Sequence, residues 1–309
     1  GASNIAFGNN ALRDNSTGTR NIAIGHQAND AADTENDNLA IGYDALGGAI
    51  NGGEYNVAIG NYSLDALTSG DKNTALGFNS LTGLTTGSWN TAVGHEAGKA
   101  MTTGADNTAI GLSAGAAITT GTRNVAIGGV ALDNAVGEND NLAIGYAALG
   151  GAINGGEYNV AIGNYSLDAN TTGDFNVGLG YSTLSSNTTG AGNHAIGANA
   201  LLSNTTGNYN NAIGLATLFS NTTGGWNTAN GYNALNANTT ASGNTGLGAF
   251  ALRYNTTGGG NTSVGYKSLQ SNTTGTRNIA FGYQAYDAAD TENDNLAIGY
   301  DALGGAIAG

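Results

Sequence analysis

Polar and apolar residues along this chain fall into one short phrase that returns eighteen times: an asparagine, a variable residue, a small residue, a large aliphatic residue and a glycine, as in Asn107-Thr108-Ala109-Ile110-Gly111. The anchors are Asn4, Asn21, Asn38, Asn56, Asn73, Asn90, Asn107, Asn124, Asn141, Asn159, Asn176, Asn193, Asn210, Asn227, Asn244, Asn261, Asn278 and Asn295. They stand 17 residues apart except for steps of 18 after Asn38 and Asn141. A fixed period with nothing between copies is the mark of a solenoid, each repeat one coil stacked on the next. Seventeen residues are too few for a strand, a helix and both connections. The coil is therefore expected to be strand and turns, and the chain an all-β parallel β-solenoid of about 18 coils.

With the anchor as position zero, strand alternation puts positions one and three on one face and zero, two and four on the other. Position three is apolar in every copy but Asn230 and includes Ile24, Ile110 and Ile127. Those residues are expected to form a structural ladder in the core. Position eight is mostly leucine, as in Leu46, Leu132 and Leu201, with Asn29, Gly98, Gly115 and Tyr286 as the exceptions, and it predicts a second core column. Positions two and four are always small. A row of such residues lets another backbone approach closely, which predicts side-by-side association, three chains being the expected number. The alternative is that Ala and Gly line a tight bend within one chain.

Asparagine at position zero, including Asn21, Asn107 and Asn124, predicts a stacked amide ladder at the strand spacing. A second ladder is expected from Asn170, Asn187, Asn204, Asn221, Asn238, Asn255 and Asn272, where earlier copies carry Leu67, Leu84, Met101 and Ile118. The glycine that closes each N-T-T-G loop, such as Gly173 or Gly207, suits a turn.

The period runs through without a break, so residues 1–309 read as one elongated repeat domain. Residues 19–66 recur almost unchanged at 122–169, and 19–50 recur at 276–307 with three changes. The extra residue in GGAINGGEYN produces the long step and is expected to project a larger loop. The sequence begins and stops inside the pattern with no visible cap. This predicts open ends, a segment of a longer fibre and end-to-end stacking.

Composition narrows the partners. The formal net charge is −14, with 8 Lys plus Arg scattered singly, so a phosphate backbone or an anionic membrane surface would be repelled. No apolar run is long enough to span a bilayer, and residues 1–30 lack a signal-peptide pattern. Neither nucleic-acid binding nor membrane insertion is expected. There is no cysteine, which excludes disulfides and thiolate metal sites.

His26, His95 and His194 share no spacing with acidic partners, so no catalytic residue and no metal site is expected. The cluster Asp30, Asp33, Glu35 and Asp37 offers oxygens to Ca²⁺, but its spacing matches neither the EF-hand nor the glycine-rich Ca²⁺ repeat. No cofactor is expected. The N-T-T triplets match the glycosylation sequon, yet ladder and turn geometry explains their recurrence.

Position sixteen, just before each anchor, is variable and aromatic: Tyr55, Trp89, Tyr158, Phe175, Tyr209 and Trp226, with Arg20, Lys72, Arg123 and Arg277 between. Ring faces bordered by Asn, Thr and Asp suit sugars, whose apolar faces stack on rings while amides take hydroxyls. These six are the candidate ligand-binding residues. The other reading is that the rings only cover a corner of the coil.

The phrase N-x-A-I-G-x-x-[AS], at Asn21 to Ala28, Asn107 to Ala114 and Asn141 to Ala148, resembles the head repeats of trimeric autotransporter adhesins of the YadA type. The longer form N-T-A-I-G-x-x-A-L-x-x-N-T-T-G is similar to repeats in bacteriophage tail fibres. The resemblance implies a left-handed β-roll, a homotrimer and binding to host surfaces, although the 17-residue period is longer than the adhesin coil. It makes the chain an expected non-enzymatic, extracellular fibre, on a cell surface or virion tail, with self-association and a cell-surface glycan as partners. Ice binding by regularly spaced Thr is the alternative.

Overall fold

The computed structural model describes residues 2–288 and 290–305, and the chain is all-β throughout. It forms two compact units, residues 1–155 and 156–309. The first holds β1 (Ile5–Phe7), β2 (Ile22–Ile24), β3 (Leu39–Ile41), β4 (Val57–Ile59), β5 (Thr74–Leu76), β6 (Thr91–Val93), β7 (Thr108–Ile110), β8 (Val125–Ile127) and β9 (Leu142–Ile144). The second holds β10 (Val160–Ile162), β11 (Val177–Leu179), β12 (His194–Ile196), β13 (Asn211–Ile213), β14 (Thr228–Asn230), β15 (Thr245–Leu247), β16 (Thr262–Val264), β17 (Ile279–Phe281) and β18 (Leu296–Ile298). Within each unit every strand pairs in parallel with the next, equivalent residues side by side, as in Ala109 beside Ala126 and Ala195 beside Ala212. Each coil thus contributes one three-residue strand at positions one to three. Its other residues form turns, and both units are β-solenoids.

Coil-to-coil bonding continues around these turns. Around one coil, Gly111 N–H donates to Val93 O (2.8 Å), Ser113 N–H to His95 O (2.9 Å), Gly115 N–H to Ala131 O (2.9 Å) and Thr119 N–H to Val136 O (2.8 Å). Threonine hydroxyls repeat the pattern, Thr188 Oγ1 reaching Thr205 O at 3.0 Å. So the N-T-T triplet is a hydrogen-bonded rung. Bringing successive carbonyls and N–H groups onto the stacking direction takes left-handed backbone at positions six, eight and sixteen. The non-glycine residues there hold φ between 47° and 65°, among them Leu132, Val130 and Trp226. This region disfavours L-residues, β-branched Val130 most of all.

The interior differs in phase from the expectation. Position three is on the outside: Ile24 and Ile110 are each 37% exposed and Ile127 is half-buried, while Ala23, Ala109 and Ala126 at position two are buried. Three constraints produce this. The anchor turns inward, Asn107 Nδ2 donating to Gly121 O (2.8 Å) and to Asn90 Oδ1 (3.2 Å) while its Oδ1 accepts from Asn124 N (3.0 Å). Positions zero and two share a face, so the alanine goes in with it and the isoleucine out. Opposite the strand, position eight (Leu64, Leu132, Leu201) and position eleven (Leu67, Leu84, Met101, Ile118) already fill the narrow interior. The predicted leucine column is the core. The predicted isoleucine ladder exists, stacked in register as Ile110 beside Ile127, but on the outward face.

The position-two residues are likewise internal, and the half-exposed position-four glycines pack against the neighbouring coil. A Cβ on Gly111, whose φ is +134°, would stand 2.5 Å from Gly128 O of the neighbouring coil. Where position two is Gly178, the space is shared by Ser166 Oγ and Thr183 Oγ1, 2.7 Å apart. Both amide ladders form: Asn187 Nδ2 donates to Asn170 Oδ1 (2.9 Å) and to Gly190 O (2.9 Å), and this repeats to Asn272.

The duplicated block solves its own packing problem. Ala32 and Ala135 leave position eleven under-filled, and Glu35 and Glu138, in place of the turn glycine at position fourteen, fold back beneath the loop. Glu35 Oε2 accepts from Asp33 N (2.9 Å) and Thr34 N (3.0 Å), and its Oε1 from Gly52 N (3.0 Å) of the next coil. In the 18-residue coils the extra residue is absorbed before Ile50 and Ile153, which are buried. Asn51 N then meets Thr68 O (2.6 Å), so the register is restored at once and the widening is confined to residues 47–49.

Candidate functional site: two aromatic columns

All six ring residues singled out in the sequence lie at position sixteen, on the exposed corner preceding each strand. Left-handed backbone turns them outward, φ being 60° at Trp226 and 59° at Trp89. Their amides are bonded to the preceding coil, Trp226 N to Asn208 O (3.0 Å) and Trp89 N to Asp71 O (3.1 Å). Held backbone with a solvent-facing ring is a rigid platform. Trp226 is 68% exposed, and the side chain has solvent on one face because Tyr209 stacks on it at 4.4 Å.

The structure groups these residues. In the second unit Tyr158 and Phe175 stack at 5.1 Å with planes 5° apart, and Tyr209 with Trp226, the two pairs flanking Gly192. Beyond Trp226 the column continues as Gly243 and Gly260, which leave space over the indole. In the first unit Tyr55 and Trp89 are separated by Lys72, whose Nζ lies 5.6 Å from the Trp89 ring centre. Elsewhere the column is ionic: Arg20 to Asp37 (2.6 Å), Arg123 to Asp140 (2.7 Å) and Arg277 to Asp294 (2.7 Å).

A second column, at positions five and six, escaped the sequence reading. His26, Tyr43, Tyr62, Phe78 and His95 form a continuous series of ring contacts with centres 5.3 to 6.1 Å apart. Tyr232, Phe250, Tyr266, Tyr283 and Tyr300 form another in the second unit, at 5.2 to 5.9 Å. The signal was present, since position five carries rings more often than position sixteen. It was masked because neighbours alternate between positions five and six, as Tyr62 and Phe250 do. The series lie where the chain leaves the outward strand face.

The acidic cluster is divided among separate partners. Arg13 pairs with Asp30 (3.1 Å), Ser16 with Asp33, backbone amides with Glu35, and Arg20 with Asp37. Among the described residues no three His, Asp or Glu side chains are grouped so as to hold a metal. A shallow depression is lined by Lys99, Ala116, Ala117, Val130 and Asp133. No described helix is long and apolar enough to cross a membrane.

The carboxylates fall into two sets. The hydrogen bonds from Arg20, Arg123 and Arg277 lower the pKa of Asp37, Asp140 and Asp294. Burial raises that of Asp65, Asp133 and Asp168. For the raised set the folded state binds protons more readily than the unfolded, so stability grows as pH falls through the folded values. For the lowered set the contribution is present above the unfolded value, about 3.9, and is lost as pH falls through the folded one. Thermal melts followed by circular dichroism are therefore expected to show a higher midpoint at about pH 4.5 than at pH 7, and a decline below about pH 3.5.

Compared with models of known protein families and with curated protein sequences, the chain matches none.

Proposed function

We propose that the chain is a structural and adhesive element of an extracellular fibre, on a bacterial surface or a phage tail, built by self-association and presenting the position-sixteen rings to a glycan. The observation that carries the reading is the outward strand face. Its positions one and three hold no charged residue in any of the eighteen repeats, although the chain carries 22 acidic side chains. Ile24, Leu76, Ile110, Ile196, Leu247 and Phe281 are all at least 37% exposed on it. In each unit an exposed, uncharged and largely apolar strand face of this kind marks an association surface. A second copy is the fitting occupant, because its ridges have the same strand spacing of about 4.8 Å and no carboxylate opposes another there. This face replaces the small-residue row as the basis for a homotrimer.

The position-sixteen rings stand exposed on the corner that precedes each strand. Trp226, with Asn208, Thr223 and Ser242 near it in the repeat, supplies an apolar plane bordered by hydroxyl and amide groups. Sedimentation of the purified chain is expected to show an oligomer, and Ile110→Glu with Ile127→Glu to dissociate it. On a glycan array, Trp226→Ala is expected to weaken binding about five- to 150-fold, since a stacked ring contributes roughly 1–3 kcal/mol to such contacts. A monomer at all concentrations, or unchanged glycan binding, overturns the corresponding half of the proposal.

Ice binding is the second reading, favoured by one observation. Thr74, Thr91 and Thr108 stack in register on the outward face, beside Leu76, Val93 and Ile110. Thermal hysteresis in a solution of the chain, abolished by Thr91→Asp, is the result that would select it.

A further inference from the structure

The negative charge of the chain is unevenly placed. None of the 22 acidic residues lies between Phe175 and Tyr286, yet three of the 8 Lys and Arg do: Arg253, Lys267 and Arg277. The other cations are matched by acids. Arg13, Arg20, Lys99 and Arg123 are ion-paired, Arg277 bonds Asp294 beyond the acid-free stretch, and Lys72 adjoins Asp71 in sequence. Among the described residues Arg253 and Lys267 have no acidic partner, and their charged groups rest over rings instead. Arg253 Cζ lies 5.1 Å from the Phe250 ring centre and 5.0 Å from that of Tyr254, and Lys267 Nζ lies 5.4 Å from that of Tyr266. The two cations belong to adjacent coils, whose rings Phe250 and Tyr266 meet at 5.9 Å in the second aromatic series. A ring face attracts a cation but brings no countercharge, so the N–H donors stay available to an anion. Position nine stacks Asn236, Arg253 and Gln270 on successive coils, Ala237 N bonding Arg253 O (3.0 Å) and Tyr254 N bonding Gln270 O (3.1 Å). Arg253 therefore stands between two amide-bearing residues.

We infer that Arg253 and Lys267, with the rings of Phe250, Tyr254 and Tyr266, form a binding site for an acidic saccharide, a glycan in which carboxylate- or sulfate-bearing sugars are joined to neutral ones. The guanidinium offers a fork of N–H donors that matches two oxygens of a carboxylate or sulfate. Lys267 adds a second charge from the next coil, at a strand spacing of about 4.8 Å. The rings suit the apolar faces of sugars, and the Asn236 and Gln270 amides suit their hydroxyls. Charge placement favours this ligand over a uniform polyanion. One coil beyond Lys267, Asp287 opens the acidic run that includes Asp290, Glu292 and Asp294. A nucleic-acid strand, charged at every nucleotide, finds two unmatched cations and then that run. A glycan with widely spaced acidic groups sets one at Arg253 and lays its neutral part toward Tyr232, along residues 176–252, which include no Asp, Glu, Lys or Arg. The site is separate from the position-sixteen rings, so it does not depend on the role proposed for Trp226.

The experiment measures binding of the full chain, at low ionic strength, to four immobilised probes: hyaluronan and chondroitin sulfate oligosaccharides, a neutral chito-oligosaccharide of equal length, and single-stranded oligothymidine. Binding to an acidic saccharide is expected to exceed binding to the neutral one and to weaken as salt is added. Arg253→Gln with Lys267→Gln is expected to lower the affinity for that saccharide by about ten- to a hundredfold, the loss of hydrogen bonds to a charged group, with binding to the neutral probe unchanged. Lys99→Gln with Arg123→Gln removes the same charge from ion-paired cations of the first unit and is expected to keep the parent affinity. Arg253→Lys with Lys267→Arg keeps both charges and is expected to retain most of the binding, and circular dichroism checks that each variant is folded. The assignment is overturned if acidic saccharides bind no better than the neutral one, if the Lys99 and Arg123 variant loses as much affinity, or if oligothymidine binds more tightly than either saccharide. Trp226-dependent binding on the glycan array is read separately, so the failure of one site leaves the other standing.

Discussion

Gly111→Ala is expected to destabilise the first unit by about 3–5 kcal/mol, the combined effect of a backbone conformation that only glycine adopts freely and of a collision with the coil above. The φ of +134° and the 2.5 Å approach to Gly128 O act together, and relief of one worsens the other. Rotating φ toward negative values breaks the bond from Gly111 N to Val93 O, which closes this end of the strand pairing. Moving the coils apart lengthens every rung around the turn. Leu112→Ala, one residue on at an exposed side chain, is the control and should change stability by less than about 0.5 kcal/mol. Urea denaturation followed by circular dichroism measures both. Equal midpoints for the two variants would show that the close stacking at position four is not what holds the coils together.

Asn107→Ala is the second large effect. The amide serves three purposes at once: it joins the start of its coil to the Gly121 carbonyl near the end, bonds Asn90 below, and accepts the Asn124 amide above. Its removal leaves the Gly121 carbonyl and the Asn124 N–H without these partners in an interior where neither reaches water. The expected loss is about 2–5 kcal/mol, one to two orphaned polar groups plus the lost bonds. Thr108→Val, on the outward face beside it, should be nearly neutral. Hydrogen exchange localises the effect, because the Asn124 amide should exchange far faster in Asn107→Ala than in the parent chain. Unchanged protection at Asn124 would assign that amide's stability to something other than the ladder.

The period, the parallel stacking, the leucine column and both asparagine ladders were legible because each depends on spacing alone. Every copy of Leu132 or Asn187 reports the same environment, so repetition itself averages away local exceptions. The phase of the strand was not legible by hydrophobicity. Between Ala109 and Ile110 the larger residue is the more apolar, and burial of the larger side chain is the better default. What decides instead is the width of the interior, set by Leu132 and Ile118 across from the strand, and the need of Asn107 to reach Gly121 O. Neither is visible until the turns are placed. The same reversal moves the proposed association surface from glycine and alanine to isoleucine, valine and threonine. The aromatic corner at position sixteen was found because Tyr209 and Trp226 occupy identical positions. The series from His26 to His95 was missed because Tyr62 takes part from the adjoining position.

The left-handed residues at positions six, eight and sixteen also bear on how the chain acquires its structure. A single repeat in isolation must hold Val130, Leu132 and Asp140 at φ near +50° to +60° with almost no bonds of its own to offset this, since the N–H groups of all three are bonded to other coils. An already ordered coil supplies those partners at fixed positions. Conversion from disordered chain is therefore unfavourable at the first few repeats and favourable at each one added afterwards, as in the growth of a crystal from a seed. Refolding should show a lag that shortens when ordered fragments are supplied, and the speed of the later phase should scale with the number of growing ends.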